Sequence, residues 1–504
     1  MFRHILRKLL GLAADTPVPG NPCSGHTARG RFAATDAGTP SPDVSPPPPI
    51  PKSHEAHMLN ERGTLLLAQR RFDAAIECFI QALELNRQAD DIVQVGINHN
   101  NIGCALSGKG DYEQAVAEHT KALRIARETG NISEVAKNNN NIGSALEDMG
   151  YFDAAIDAYE EALQAVKTVG DRETMAICLN NIGSVAKKKG EYDIAIARYQ
   201  EALAIAEEMG NQTDLAIRHN NIGECRSRKG EYAQAADCFR VALAIDRRLG
   251  NSPGMAREHC NLGAALLELG NFSEALKHLD AALALDEEIG DEVSMSVDYS
   301  NIGALHHRQQ SLDSAIVWYK KALKIDERLE HRVHMCLRYR NLTDAYADKG
   351  DFGIALEYQR KAVAIQELIG NPMQLGEDYN QVGMLLHRQG ELAAAVDAYF
   401  KAANFYRRTG SAGAEGTAFN NIGFALKDMA KYSEAYDYFK SAKDLANQIG
   451  DPRNEAQQFW NMGIMQMQLG AQEQGMEDIE SAVRLWRRTG GVPPEIQTML
   501  ESLK

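Results

Sequence analysis

The stretch that decides the fold is Asn140-Asn141-Ile142-Gly143, because this tetrad or a near copy of it returns every 40 residues. Gly103, Gly143, Gly183, Gly223, Gly263 and Gly303 keep one register. Thr343 interrupts it, and Gly383, Gly423 and Gly463 resume it; Gly63 stands one period earlier. The pattern gives 11 units between about residue 54 and about residue 490. A fixed period in this range marks a repeat architecture. Stacked repeats make one long surface in place of one pocket, so the period constrains function as well as fold.

Each unit reads as two helices. Gly130 closes the unit before, as glycine does where a helix ends in positive φ. Asn131 is placed to cap the next helix, and Asn371-Pro372 and Asp451-Pro452 repeat that punctuation with proline in the first turn. Gly150 breaks the unit in the middle, and Phe152 opens the second helix. Ala155, Tyr159, Ala162 and Leu163 then recur at i, i+4, i+7 and i+8, a core-facing stripe. An interior glycine costs a helix about 1 kcal/mol against alanine. Its recurrence at the Gly143 position therefore implies close packing that a methyl group would obstruct.

Asn141-Ile142-Gly143, Gly150, Phe152, Ala155, Tyr159 and Ala162 resemble, in order, the tetratricopeptide repeat pattern. Its usual unit is about 34 residues. The 40-residue form resembles LGN/Pins-type and bacterial tetratricopeptide repeat adaptors. The resemblance implies an all-α, right-handed superhelical solenoid of about 11 helix-turn-helix repeats, whose concave groove binds a peptide or protein segment. The lysine and asparagine clamp of chaperone-tail relatives is not assembled here. Where LGN-type repeats place asparagine after the glycine, this chain has Cys104, Ser144, Ser184, Glu224, Ala264, Ala304 and Asp344. Ligand classes of those relatives are therefore not carried over.

The candidate site lies on the first helices. At 100° per residue, Ile102 and Leu106 point to the core, while Ile97, Asn100, Asn101, Cys104 and Gly108 share the opposite, exposed stripe. Stacking lays two rows of carboxamides along a groove: Asn100, Asn140, Asn180, Asn220 and Asn420 in one, Asn101, Asn141, Asn181, Asn221 and Asn421 in the other. Asparagine is a mediocre helix former. The rows either bond the backbone of the adjacent unit or grip an extended ligand, since each amide offers donors and an acceptor. A further register holds Asp148, Lys188, Arg228, Glu268, Arg308, Asp348, Arg388 and Asp428. Lys188 and Arg228 make a basic stretch for an acidic partner segment, unless they are ion-paired residues near a helix end.

The formal net charge of −15 argues against non-specific nucleic-acid binding. The 8 cysteines form no C-x-x-C pair and read as free thiols of a reducing, cytoplasmic setting. No run of 18 apolar residues suggests a membrane span. His54-Glu55-Ala56-His57 lacks the two-residue gap of a zinc protease, and His306-His307 and His387 have no ligand partners at metal spacing. No cofactor, metal or enzymatic activity is expected. The expected role is an interaction scaffold, with a peptide-gated sensor acting through a partner as the alternative.

Three regions lie outside the regular pattern. Residues 1–52 combine an amphipathic segment with a Pro-rich stretch expected to be a disordered arm. Phe2, Ile5, Leu6, Leu9 and Leu10 form one stripe, with Arg3, Arg7 and Lys8 elsewhere; residues 2–10 can make weak membrane-surface contact or act as an organellar targeting peptide. Residues 53–490 form the solenoid, and residues 491–504 are expected to cap it through Met499, Leu500 and Leu503. A weak point is expected near residues 309–343, where Gln310, Glu330 and Thr343 replace repeat glycines.

Overall fold

The computed structural model describes residues 52–494, 496 and 497. The N-terminal arm with its amphipathic segment, and most of the C-terminal cap, lie outside the described residues. Twenty-two α-helices run from Lys52 to Thr489, and each starts 20 residues after the one before: Lys52, Phe72, Ile92, Tyr112 and so on to Pro452 and Gln472. Two helices make one 40-residue repeat. Repeat 1 begins at Lys52, repeat 2 at Ile92, and repeat 11 at Pro452. The chain divides into two compact units, residues 1–250 with repeats 1 to 5 and residues 251–504 with repeats 6 to 11. Within each, every helix packs on its neighbours in sequence, as a solenoid requires. None of the described helices is long and apolar enough to cross a membrane.

The 20-residue rhythm comes from the turns. At the end of repeat 2, Gly130 has φ 66°, and Asn131 N–H reaches back to Ala126 O at 2.9 Å. This left-handed stop closes the helix end and re-aims the chain. Asn131 then accepts from Glu134 N, which satisfies a free donor at the start of the next helix. Asp91, Asp171, Asn211, Asn251, Asp291, Asn371 and Asp451 cap their helices in the same way.

The turn conformation persists where glycine is absent. Arg70, Asp90, Gln310, Glu330 and Ala430 all keep φ between 53° and 60°. An L-residue there is strained by roughly 1–2 kcal/mol. Packing of the flanking helices therefore holds these residues in place. Gln310 and Glu330, expected to mark a weak point, preserve the turn geometry of the regular repeats.

The repeat glycine answers to one ring. A Cβ on Gly143 would lie 2.7 Å from Tyr159, 16 residues further on in the paired helix. The same contact joins Gly63 to Phe79, Gly183 to Tyr199, Gly223 to Phe239, Gly303 to Tyr319, Gly383 to Tyr399 and Gly423 to Phe439. These rings are buried to 2% exposure or less. Ala155 and Ala162, also fully buried, flank the ring and let the helices close on it. Gly263 and Gly463 face Leu279 and Ile479 in place of a ring, and Thr343 departs furthest from the pattern. Its counterpart 16 residues on is Gln359, whose amide donates to the carbonyl of Asp378 at 3.2 Å and to its carboxylate at 3.1 Å. A smaller, polar partner makes room for the larger threonine, whose hydroxyl bonds Tyr339 O at 2.9 Å.

Gly143→Ala should lower stability by about 1–3 kcal/mol, the usual size of an overpacking penalty, although alanine is the better helix former. In a Tyr159→Ala background that penalty should shrink, and a thermal-unfolding double-mutant cycle measures the difference. Gln310→Gly and Ala430→Gly should each raise the melting temperature by releasing left-handed strain; a lowered value would show that side-chain contacts outweigh it.

Candidate functional site

The asparagine rows lie where consecutive first helices touch. Asn141 Nδ2 donates to Asn100 Oδ1 at 2.9 Å, Asn181 to Asn140 at 2.8 Å, and Asn221 to Asn180 at 3.2 Å. In the second unit Asn421 donates to Asn380 at 3.0 Å, and Asn461 to Asn420 at 3.2 Å. Asn341 finds the Ser300 hydroxyl and Asn301 the Cys260 sulfur in the same register. The second row thus bonds the preceding repeat at Asn141, Asn181 and Asn221 and, in the second unit, at Asn301, Asn341, Asn421 and Asn461. The geometry differs from a bond to the neighbour's backbone: the acceptor is the side chain of the neighbour's first-row residue, a carboxamide in five of these seven bonds.

The stripe is also less exposed than the helical wheel implies. Asn100 is 1% exposed and Asn220 5%, while Asn101, Asn140, Asn141, Asn180, Asn181, Asn221, Asn420 and Asn421 are half-buried. The wheel places them correctly around their own helix; the neighbouring repeats meet them, the following one at the first row and the preceding one at the second. In the first row, Oδ1 serves the ladder. Asn180 Oδ1 takes a second bond from Arg218 at 2.8 Å, and Asn220 Nδ2 donates to Glu224 at 2.9 Å. Asn140 Nδ2 has no such partner among the described residues, so it remains a donor on a half-buried edge.

The charged register is largely paired between repeats. Lys188 meets Glu147 of the preceding repeat at 2.9 Å, and Lys187 meets Glu224 of the following one at 2.7 Å. Arg308 holds Glu268 through both carboxylate oxygens. His307 approaches Asp348 at 2.9 Å and His387 approaches Asp428 at 2.8 Å. Arg228 is exposed and forms no ion pair among the described residues. The structure therefore brings Lys188 to a fixed acid and leaves Arg228 for solvent or a ligand.

A second inter-repeat row escapes sequence reasoning. The end of each second helix faces the start of the next first helix across 12 residues, deep in the stack. Asn86 donates to Asn98 at 2.7 Å, and Asn98 to Asn60 at 2.7 Å. Asp326 holds Arg338 at 3.0 Å in the same register. Asp286 and Asp298 occupy it as two carboxyls, 4% and 0% exposed. Burial and then the neighbouring Asp286 carboxyl push Asp298 well above the usual carboxylate range; burial raises Asp286 too. Burial of two such carboxyls at one register favours the protonated form, and the pair titrates together. A polar residue amid apolar counterparts such as Val166 and Cys178 was the available signal, but the pairing partner lies on another helix.

Clefts between helices are open and modest. One of about 350 Å³ is lined by Tyr379, Glu367, Asp397 and Lys401, with the Lys401 ammonium 5.0 Å from the Tyr379 ring centre.

A family model of the tetratricopeptide repeat matches residues 54–128, 134–208, 214–288 and 295–368, and a second model of that repeat matches residues 260–328. No curated protein matches the chain significantly. Among solved structures, the chain is similar to a Signal Transduction ATPase with Numerous Domains (STAND) protein with a tetratricopeptide repeat sensor from Pyrococcus horikoshii. Identity is 14%, over 85% of this chain and 67% of that one, with a TM-score of 0.58. It is also similar to the apo form of the quorum sensor NprR from B. thuringiensis, at 15% identity over 62% of this chain and 87% of that one, with a TM-score of 0.50. At such identities these likenesses show the fold.

Replacing Asn141, Asn181 and Asn221 together by alanine should lower the melting temperature. Each lost bond is worth about 0.5–1.5 kcal/mol net, and losing Asn181 also strands the half-buried Asn140 acceptor, whereas Asn100 keeps His119 and Asn180 keeps Arg218. These losses exceed the helix-propensity gain. The carboxyl pair predicts a pH effect of definite sign. A folded pKa above the unfolded value means that the native state binds more protons. Stability from this pair is full below about pH 4 and is lost as pH rises towards about 8. Asp298→Asn supplies a permanent donor to Asp286. It should flatten that part of the stability profile and raise the melting temperature at pH 8 relative to the native sequence.

Proposed function

The chain belongs to the tetratricopeptide repeat family, and from that premise we propose that it is an interaction scaffold holding an extended peptide or protein segment along its first helices. The observation that carries this reading is the ladder of first-row carboxamides. They stand at one register in four successive repeats, Asn100, Asn140, Asn180 and Asn220, and again at Asn380 and Asn420; Asn140, Asn180 and Asn420 are half-buried. An extended chain presents backbone carbonyls and amides at regular spacing, which a row of amides matches. Asn140, Asn180, Asn220 and Asn420 take the contacting role in this reading, with Asn100 deepest in the row. Asn101, Asn141, Asn181, Asn221 and Asn421 hold the register. Arg228, exposed, and Lys188, on its rim, favour a ligand with an acidic stretch. The role needs no catalytic group.

A second reading is a peptide-gated regulator that acts through another protein. Two fold relatives give it support, one described with a tetratricopeptide repeat sensor and the other as a quorum sensor. Both readings share the same binding face, and they part on whether binding changes the shape of the chain.

Peptides selected from a display library on the full chain provide the test. Asn140→Asp keeps the acceptor used by Asn181 and removes the outward donor. It should weaken selected peptides by about 0.5–1.5 kcal/mol with little change in melting temperature. Arg228→Glu should weaken them further, and affinity should fall with added salt. Peptide binding indifferent to both substitutions would sink the proposed face. A change in small-angle scattering on binding would favour the regulator, and an unchanged profile the scaffold.

A further inference from the structure

We propose that Asp326, His331 and His334 form a binding site for a divalent transition metal ion of the zinc class, at the junction of repeats 7 and 8. One donor atom from each of the three lies within 4.8 Å of the others. His331 Nδ1 and His334 Nδ1 are 3.2 Å apart, and His334 Nδ1 is 3.5 Å from Asp326 Oδ1. Bonds of about 2.0–2.1 Å in a tetrahedron place ligand atoms about 3.3–3.4 Å apart, so both separations are edges of such a site.

The carboxylate is set for this use. Asp326 is fully buried. Its Oδ2 accepts from Arg338 Nε at 3.0 Å, and Arg338 is itself tied to the Ser296 hydroxyl at 3.3 Å. Its Oδ1 has no hydrogen-bond partner and points toward the imidazoles. Arg338 is thus the positioning residue of the carboxylate, a support that metal ligands commonly have. Its guanidinium also lowers the pull of the site on hard cations such as Ca²⁺ or Mg²⁺. Affinity then rests on the imidazole nitrogens, which favour zinc, cobalt, nickel or copper.

The repeat pattern breaks here in a way the fold does not require. One repeat earlier, the same register positions hold Asp286, Asp291 and Ser294, and Asp291 caps the backbone at Val293 and Ser294. His331 takes the capping position and makes no capping bond. The preceding turn residue is Glu330, in the left-handed conformation at φ 53°. The chain has given up a glycine and a cap in the same loop and gained two imidazoles beside a buried carboxylate. Local rules broken together are the mark of a functional site. His331 is exposed and His334 half-buried, so an ion would be reached from solvent and would keep a position for water or a partner's ligand.

Cobalt titration of the full, chelator-treated chain tests the site. Co²⁺ at a tetrahedral nitrogen-oxygen site gives intense visible absorption, and Zn²⁺ should displace it. His331→Asn and His334→Ser restore residues that regular repeats carry at these positions, so both variants should keep their helical circular dichroism. Each should lose one equivalent of intensely absorbing Co²⁺, with affinity falling by more than the roughly 10–100-fold seen on changing an outer-shell group. Asp326→Asn, which still accepts from Arg338, should weaken Co²⁺ as well. Absence of the band in the native sequence, or an unchanged band and stoichiometry in both histidine variants, would overturn the site.

Discussion

The fit of a small residue on one helix against a side chain 16 positions on, a ring in most repeats, is the contact on which the helix pairs depend. A ring such as Tyr159 sits where a methyl group at Gly143 would stand 2.7 Å away. The close approach of the two helices depends on that space. The constraint is on the combined volume of two positions, as Thr343 and Gln359 show. There the glycine and the ring are both gone, and a threonine with a polar partner fills the space. Dense interiors tolerate exchanges that conserve volume far better than single additions.

Once each pair has its shape, the turns copy it. A left-handed residue recurs at every turn from Arg70 to Gly490 and a capping side chain in most repeats, so helix starts fall 20 residues apart throughout the described chain. This regularity gives register positions a chemical meaning. A residue 41 positions on meets its counterpart on the next first helix, and the asparagine ladder follows from that distance. A residue 12 positions on meets its counterpart across the turn, which produces the Asn86–Asn98, Asp286–Asp298 and Asp326–Arg338 pairs. Polar groups buried in this way need partners, and the repeat supplies them to Asn86, Asn98 and Arg338 while leaving Asp326 Oδ1 without a hydrogen bond.

The fold was legible because its signals are local and repeated: glycine at the turn, asparagine or aspartate at the cap, a small residue facing a ring. The face of the first helices was legible in part. Helical periodicity groups Asn140 and Asn141 with Ser144 on one side, and the structure keeps them there. Periodicity on a single helix contains nothing about the neighbouring repeat, so it showed as exposed a row that the neighbour half covers. The same blindness hid the acceptor of each ladder bond. Lys188 and Arg228, alike in register, part for the same reason: an acid stands at Glu147 within reach of the first, and none pairs with the second.

Sequence by itself determined that this chain is a stack of helix pairs, how many residues each repeat takes, and which positions must be small. Those properties depend on interactions within one turn or between paired helices at a fixed spacing, and 11 near-copies state them redundantly. Tertiary structure alone decided which amides bond between repeats, which carboxyls are buried at one register, and which histidines stand beside a buried aspartate. His331 and His334 look like an irregular cap in the sequence. Only the packing of two helices brings Asp326 to them, because the end of one repeat and the start of the next occupy the same few ångströms of space.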